Sequence, residues 1–158
     1  MTDKLIRQYG KRLYGLCVAL CRDRDAADDL YQETWLKVLK GIDTYDSARD
    51  FEPWLTKICV NTYKSFRRKR QKSPVYDNFL TAEEKDFALN SVAAREQTGD
   101  RELRDAVSRL PEKLRVTVIL CYFHDMDIRT AATVLRIPEG TVKSRLNRAR
   151  GILREALE

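Results

Sequence analysis

Residues Asp127–Arg150, DIRTAATVLRIPEGTVKSRLNRAR, constrain the fold more than any other stretch. Ile128, Ala131, Ala132 and Leu135 recur at the spacing of one buried helix face. Asp127 just before them can accept a hydrogen bond from an unpaired backbone N–H and so cap the helix. Arg136, Ile137 and Pro138 then break the pattern. Pro138 cannot continue the first helix but suits the first turn of a second. There Val142, Leu146, Ala149 and Leu153 form a narrow apolar stripe. At about 100° per residue, Thr141, Ser144, Asn147 and Arg148 point away from that stripe, flanked by Lys143, Arg145 and Arg150. No acid occurs from Gly140 through Arg154. Two helices this close predict a helix-turn-helix, whose cations meet phosphates and whose small polar tips reach base edges. A solvated basic surface helix packed on its neighbour would show the same stripe.

The rest of the composition narrows the class. A chain of 158 residues allows one compact domain or two small ones. Its 43% hydrophobic content suffices for cores, its 34% charged content implies much exposed surface, and its +6 formal charge fits an anionic partner. No apolar run approaches the roughly 20 residues that span a bilayer. Met1 and the residues after it lead into an amphipathic helix rather than a signal peptide, so a cytoplasmic protein without direct membrane insertion is expected. One histidine, no glycine-rich phosphate loop and no nucleophile–base pairing argue against an enzyme. Cys17, Cys21, Cys59 and Cys121 form no CxxC pair and fall in apolar helical patterns, so buried free thiols are expected. A zinc site from them and His124 would have too few, too scattered ligands. Neither a metal nor a cofactor is expected.

Taken in order, the first helix runs from about Lys4 to Cys21, with Leu5, Tyr9, Leu13, Leu16, Cys17 and Leu20 on one face. Asp25 is expected to cap a second helix reaching about Lys40, with Gly41 as its C-cap. The buried stripe of that helix is Ala27, Leu30, Thr34 and Val38, and a separate face carries Asp28, Asp29, Gln32 and Glu33. Those acids suit a helix N-terminus and equally suit docking of a basic partner. Asp43–Asp50 is a polar loop bracketed by Tyr45 and Phe51. Pro53 then opens a third helix with Leu55, Ile58, Cys59, Thr62 and Phe66 inward. It ends in Arg67, Arg68, Lys69 and Arg70, denser than the helix dipole needs. Trp54, Asn61, Tyr63 and Lys64 nearby interleave aromatic and polar groups with charge, a mixture able to stack and hold unpaired bases.

Charge separates the chain into segments. Residues 1–72 carry 16 Lys and Arg against 10 Asp and Glu, residues 73–98 carry 2 against 5, and residues 99–158 carry 12 against 9. The expectation is an all-α protein of two small helical domains, 1–72 and 99–158. The flexible linker 73–98 would hold at most a short helix near Thr81–Ala94. The second domain opens with Leu103, Ala106, Val107 and Leu110. The apolar run Val116–Phe123 after Pro111 is expected to be a core helix rather than a strand.

These pieces together resemble a bacterial RNA polymerase sigma factor of the extracytoplasmic-function (ECF) group of the sigma-70 family. DAADDLYQETWLKVL is similar to the family's region 2, FEPWLTKICVNTYKSFRRKR to the promoter-melting helix that follows, and LPEKLRVTVILCYFHDMD with EGTVKSRLNRARGIL to region 4. The resemblance implies that Asp28, Asp29, Gln32 and Glu33 dock on core RNA polymerase. It implies that Tyr45, Phe51, Trp54, Asn61 and Lys64 open the −10 element and capture a flipped base, with Arg67, Arg68, Lys69 and Arg70 holding phosphates. Thr141, Lys143, Ser144, Arg145, Asn147 and Arg148 would read the −35 element of promoter DNA. The implied partners are core RNA polymerase, promoter DNA and an anti-sigma factor, often membrane-anchored in the family. The acidic linker resembles the segment threaded through the polymerase's RNA path. One departure is Thr130, where the family usually carries glutamate, which removes the reciprocal bond of a capping box.

Two other readings fit parts of the chain. An autonomous helix-turn-helix regulator would explain Asp127–Arg150 and leave residues 1–72 as a sensor or dimerisation domain. A zinc- or thiol-based redox protein would explain the cysteines and would depend on Cys17 or Cys121.

Overall fold

A computed structural model of the chain describes residues 2–72 and 101–157. The expected linker 73–98 and its short helix near Thr81–Ala94 lie outside the described residues. The chain divides into two compact units, Met1–Leu89 and Asn90–Glu158. Among the described residues every regular element is helical, and no helix is long and apolar enough to cross a membrane.

The first unit contains α1 (Thr2–Cys21), α2 (Arg24–Gly41) and α3 (Phe51–Lys72), with a 3-10 turn at Ile42–Thr44 between α2 and α3. Each helix packs on the other two. On α1, Leu13, Leu16, Cys17 and Leu20 are buried as their spacing predicts, joined by Val18, while Leu5 and Tyr9 are half-buried. The α2 stripe Ala27, Leu30, Thr34 and Val38 is buried, and Ala26 and Trp35 widen it. Gly10 of α1 leaves room for Tyr31 of α2: a Cβ there would lie 3.0 Å from the Tyr31 hydroxyl. Cys17 and Cys59 meet in the core with their Sγ atoms 3.8 Å apart.

The ends of these helices differ from expectation, each for a local reason. Asp23, not Asp25, caps α2: its backbone is extended and its carboxylate accepts the Asp25 N–H at 3.1 Å. A cap must be non-helical, and Asp25 already lies in the first turn, where its charge still complements the dipole. Gly41 does not adopt the left-handed C-cap conformation, since its φ is −104°. The helix instead tightens into the 3-10 turn, with the Thr44 hydroxyl donating to the Gly41 carbonyl at 2.6 Å. Phe51 rather than Pro53 begins α3. Pro53 sits inside the first turn, where its missing N–H has no helical partner to lose.

The second unit contains α4 (Arg101–Ser108), α5 (Glu112–Val118) leading into a π-helical turn at Ile119–Phe123, α6 (Ile128–Leu135) and α7 (Glu139–Leu157). The apolar run is helical, as expected, and every residue from Leu114 to Leu120 is buried. Even Arg115 is only 1% exposed. Val107, Leu110, Ala131, Val134, Leu135, Val142, Leu146 and Ala149 close on this central helix. Cys21 and Cys121 depart from the expected buried thiols: both are half-buried, because the helix ends that carry them are only partly covered.

Candidate polymerase and nucleic-acid interfaces

The helix-turn-helix is α6 followed by α7. Asp127 caps α6 as predicted, its carboxylate accepting the Thr130 N–H at 2.6 Å. That bond, joined by one from the Thr130 hydroxyl, holds the Asp127 carboxyl below the usual carboxylate range. Thr130 therefore supports the helix start even though it cannot make the reciprocal bond of a glutamate. At the other end Arg136 is left-handed (φ 59°), the Ile137 N–H reaches the Ala132 carbonyl at 3.1 Å, and the Arg136 N–H reaches Thr133. This pair of bonds is a Schellman closure, which usually employs glycine. Pro138 is the residue before α7 rather than within it. Its carbonyl accepts the Thr141 and Val142 N–H groups at 3.0 and 3.2 Å.

On α7 the stripe Val142, Leu146 and Ala149 is buried and Leu153 half-buried. Lys143, Ser144, Asn147 and Arg148 are exposed, and Thr141 and Arg145 are half-buried. The Ser144 hydroxyl donates back to the Gly140 carbonyl at 3.0 Å, so its oxygen lone pairs stay available as acceptors. This helix can present donors, acceptors and net positive charge along one solvent-facing arc. Arg150, on the flank, is held by Tyr122 rather than standing free.

In the first unit two surfaces lie on different helices. On α2, Asp29 and Gln32 are exposed and Glu33 half-buried, whereas Asp28 accepts a 2.8 Å hydrogen bond from the Tyr14 hydroxyl of α1. Burial, and then the Asp28 carboxylate, push the Tyr14 hydroxyl pKa up, so it remains a donor at neutral pH. Leu36, 51% exposed, and Leu39 extend this face. Sequence reasoning passed over both leucines. Their signal was present, since they fall outside the stripe Ala27, Leu30, Thr34 and Val38. Exposed leucines beside acids fit a docking surface better than a solvated one.

The second surface combines the loop with α3. Tyr45, Phe51 and Trp54 form a ring cluster with centroids 5.1 to 5.6 Å apart, and Tyr9 stacks on Phe51 at 4.9 Å. Phe51 is 7% exposed and buried beneath the other rings. Tyr63 is likewise buried, facing the core instead of the charged surface. Tyr45 and Trp54 retain accessible surface. The loop is stiffened from within: the Tyr45 hydroxyl donates to the Arg49 carbonyl, and the Asp46 carboxylate accepts the Ala48 N–H at 3.0 Å. Trp54, Asn61, Lys64 and Arg68 share one face at helical spacing, and Lys57 joins them. Arg67 and Lys69 lie to either side, and the Arg70 side chain lies outside the described ones.

Among the described residues no group of three His, Cys, Asp or Glu side chains could hold a metal. The hydrogen bond with Cys59, and then burial, push the Cys17 thiol above its usual range. A thiol in that state is a poor nucleophile.

Comparison with known proteins places both units. The family described as Sigma-70 region 2 matches residues 5–73, and the one described as Sigma-70, region 4 matches residues 100–153. The chain is 31% identical to the RNA polymerase sigma-H factor of Pseudomonas aeruginosa, over 99% of this chain and 86% of that protein. It is 32% identical to the ECF RNA polymerase sigma factor EcfG of Rhodopseudomonas palustris, over 89% of this chain and 76% of that protein. In fold it is similar to the sigma factor RpoE solved in complex with the anti-sigma factor NepR from Bartonella quintana. The TM-score is 0.79 at 23% identity, covering 98% of this chain and 95% of that one.

Proposed function

The chain belongs to the ECF group of the sigma-70 family, and from that premise we propose that its two units divide promoter recognition between them. A sigma factor directs promoter-specific transcription initiation through RNA polymerase and is a non-catalytic initiation factor. This chain accordingly performs no covalent chemistry of its own. The observation that carries the division of labour is α7: an acid-free arc of exposed Lys143, Ser144, Asn147 and Arg148 and half-buried Thr141 and Arg145, set on a buried apolar stripe.

That arc reads the −35 element. Arg148 has the planar fork that reads guanine, whereas Lys143 acts as a point charge. Asp29, Gln32 and Glu33, with Leu36 and Leu39, form the docking face for core polymerase. Asp28 shapes that face through its bond to Tyr14. Tyr45 and Trp54 stack on a base extruded from the −10 element, offsetting the few kcal/mol of lost pairing and stacking. Phe51 supports them from below. Asn61 and Lys64 contact the opened strand, and Arg67, Arg68, Lys69 and Arg70 hold phosphates. Residues 1–72 and 99–158 are thus the two binding domains, with 73–98 as linker. An anti-sigma factor is the natural antagonist, supported by the complex in which the RpoE relative was solved. The protein works in the cytoplasm, where core polymerase and DNA are.

The test is binding of the purified full chain to core RNA polymerase, followed by run-off transcription on genomic fragments. Stable binding with new start sites is expected. A folded chain that ignores the core enzyme of its own organism would instead favour an autonomous regulator.

A further inference from the structure

Tyr122 lies in the π-helical turn after α5 and is 49% exposed, an unusual setting for a ring with no core to fill. The guanidinium of Arg150, on α7, lies over that ring at 5.8 Å from its centroid. Arg150 Nε donates to the Tyr122 hydroxyl oxygen at 2.9 Å, and Nη2 donates to the same oxygen. Two elements distant in sequence therefore cooperate to fix one exposed arginine.

The choice of partner matters chemically. A carboxylate in place of Tyr122 would hold Arg150 equally well but cancel its charge. A phenol holds it and leaves the full positive charge available. The hydroxyl oxygen already accepts two N–H groups, so its own O–H is left to donate. The remaining guanidinium N–H groups are also free of the tyrosine. An acceptor carrying negative charge and several oxygens would satisfy both residues at once, and a DNA phosphate is such a group. Arg150 stands two helical turns, about 10 Å along the axis, from Lys143 on the same flank of α7. Between them that flank carries no acid.

We infer that Tyr122 and Arg150 form a phosphate clamp on the DNA backbone beside the −35 element, with Tyr122 the positioning residue that preorganises Arg150. This inference rests on the reading of α7 as the recognition helix.

The experiment measures binding of the full chain, assembled with core polymerase, to a promoter duplex recovered by the run-off selection, across a range of salt. Arg150→Ala should weaken binding roughly tenfold at 0.1 M salt and lower the slope of log affinity against log salt by about one, the signature of one lost phosphate contact. Tyr122→Phe keeps the ring and every charge, so it should weaken binding severalfold while leaving the slope unchanged. The double variant should lose less than the two single losses combined, because without Arg150 the tyrosine has only its own O–H donation left to give. Additive losses would overturn the positioning role. Wild-type affinity and slope in both single variants, while Arg148→Ala weakens binding, would overturn the clamp but keep the recognition helix. If Arg148→Ala and Lys143→Ala are also silent, the reading beneath it falls. Loss of polymerase assembly instead of DNA affinity would make the pair a protein contact and overturn the proposal. Thermal unfolding of each variant separates these outcomes from misfolding.

Discussion

The two units build their surfaces in opposite ways. In the second unit nearly every group proposed to read DNA stands on one helix, α7, and the rest of the unit serves to seat it. In the first unit the surface proposed to face the −10 element is assembled from a loop, a 3-10 turn and one face of α3, with the ring of Phe51 as underlay. The difference tracks the task. Reading a duplex groove needs one rigid rod of the right width, whereas trapping an unstacked base needs a shaped recess with walls from several elements. A single helix can be read by its periodicity; a recess cannot.

Variants can break this contrast. The largest effect belongs to the proposed docking face on α2: Asp29→Lys with Glu33→Lys should abolish holoenzyme assembly, because like charges across an interface cost several kcal/mol. Both positions have solvent access, so circular dichroism should show the fold intact. Normal assembly by that variant would remove α2 from the interface. Next comes the seating of α7. Leu120→Ala in the fully buried central helix should cost about 2–5 kcal/mol, read by chemical denaturation, and should take −35 binding with it. A mild loss would mean that α7 holds its position without the central core.

Smaller effects sharpen the comparison further. Arg148→Ala should lose about 1–3 kcal/mol of discrimination at one base pair, visible as relaxed preference in a mutated −35 duplex. Trp54→Ala should leave duplex binding nearly unchanged and suppress strand opening, detected by permanganate reactivity of unpaired thymines. Equal loss of duplex binding in both variants would erase the division between the units. Arg136→Gly should stabilise the chain by up to about 1 kcal/mol, because a left-handed backbone disfavours a residue with a Cβ.

The smallest effect is a pH dependence. The Asp127 carboxyl is held low by the Thr130 N–H, so its stabilising contribution is present above its unfolded pKa and is lost as pH falls through the lower, folded value. Asp127→Asn keeps a capping oxygen but cannot titrate. It should therefore flatten this part of the acid unfolding curve while leaving neutral stability nearly unchanged.

Much of this was legible in the residues alone. The buried stripes of α2 and α7, the cap at Asp127 and the helical character of Val116–Phe123 follow from spacing, and the family was legible as a resemblance of motifs. Helix ends were less legible, as Asp23, Gly41 and Pro53 show. Several polar groups compete for the same few unpaired backbone atoms there, and small differences in extended geometry decide among them.

What the sequence by itself determined is the phase of each helix: which residues share a face and which face is apolar. Only the tertiary structure decided which phases are covered. Phe51 and Tyr63 look like surface aromatics until the neighbouring rings and helices bury them, whereas Leu36, outside the buried stripe, is left 51% exposed. Arg115 belongs to a helix enclosed on all sides, and Cys17 meets Cys59 across 42 positions. Arg150 finds Tyr122 in the same way, 28 residues away. Periodicity is a property of one element, whereas burial and contact are properties of pairs, and pairs exist only once the chain has folded.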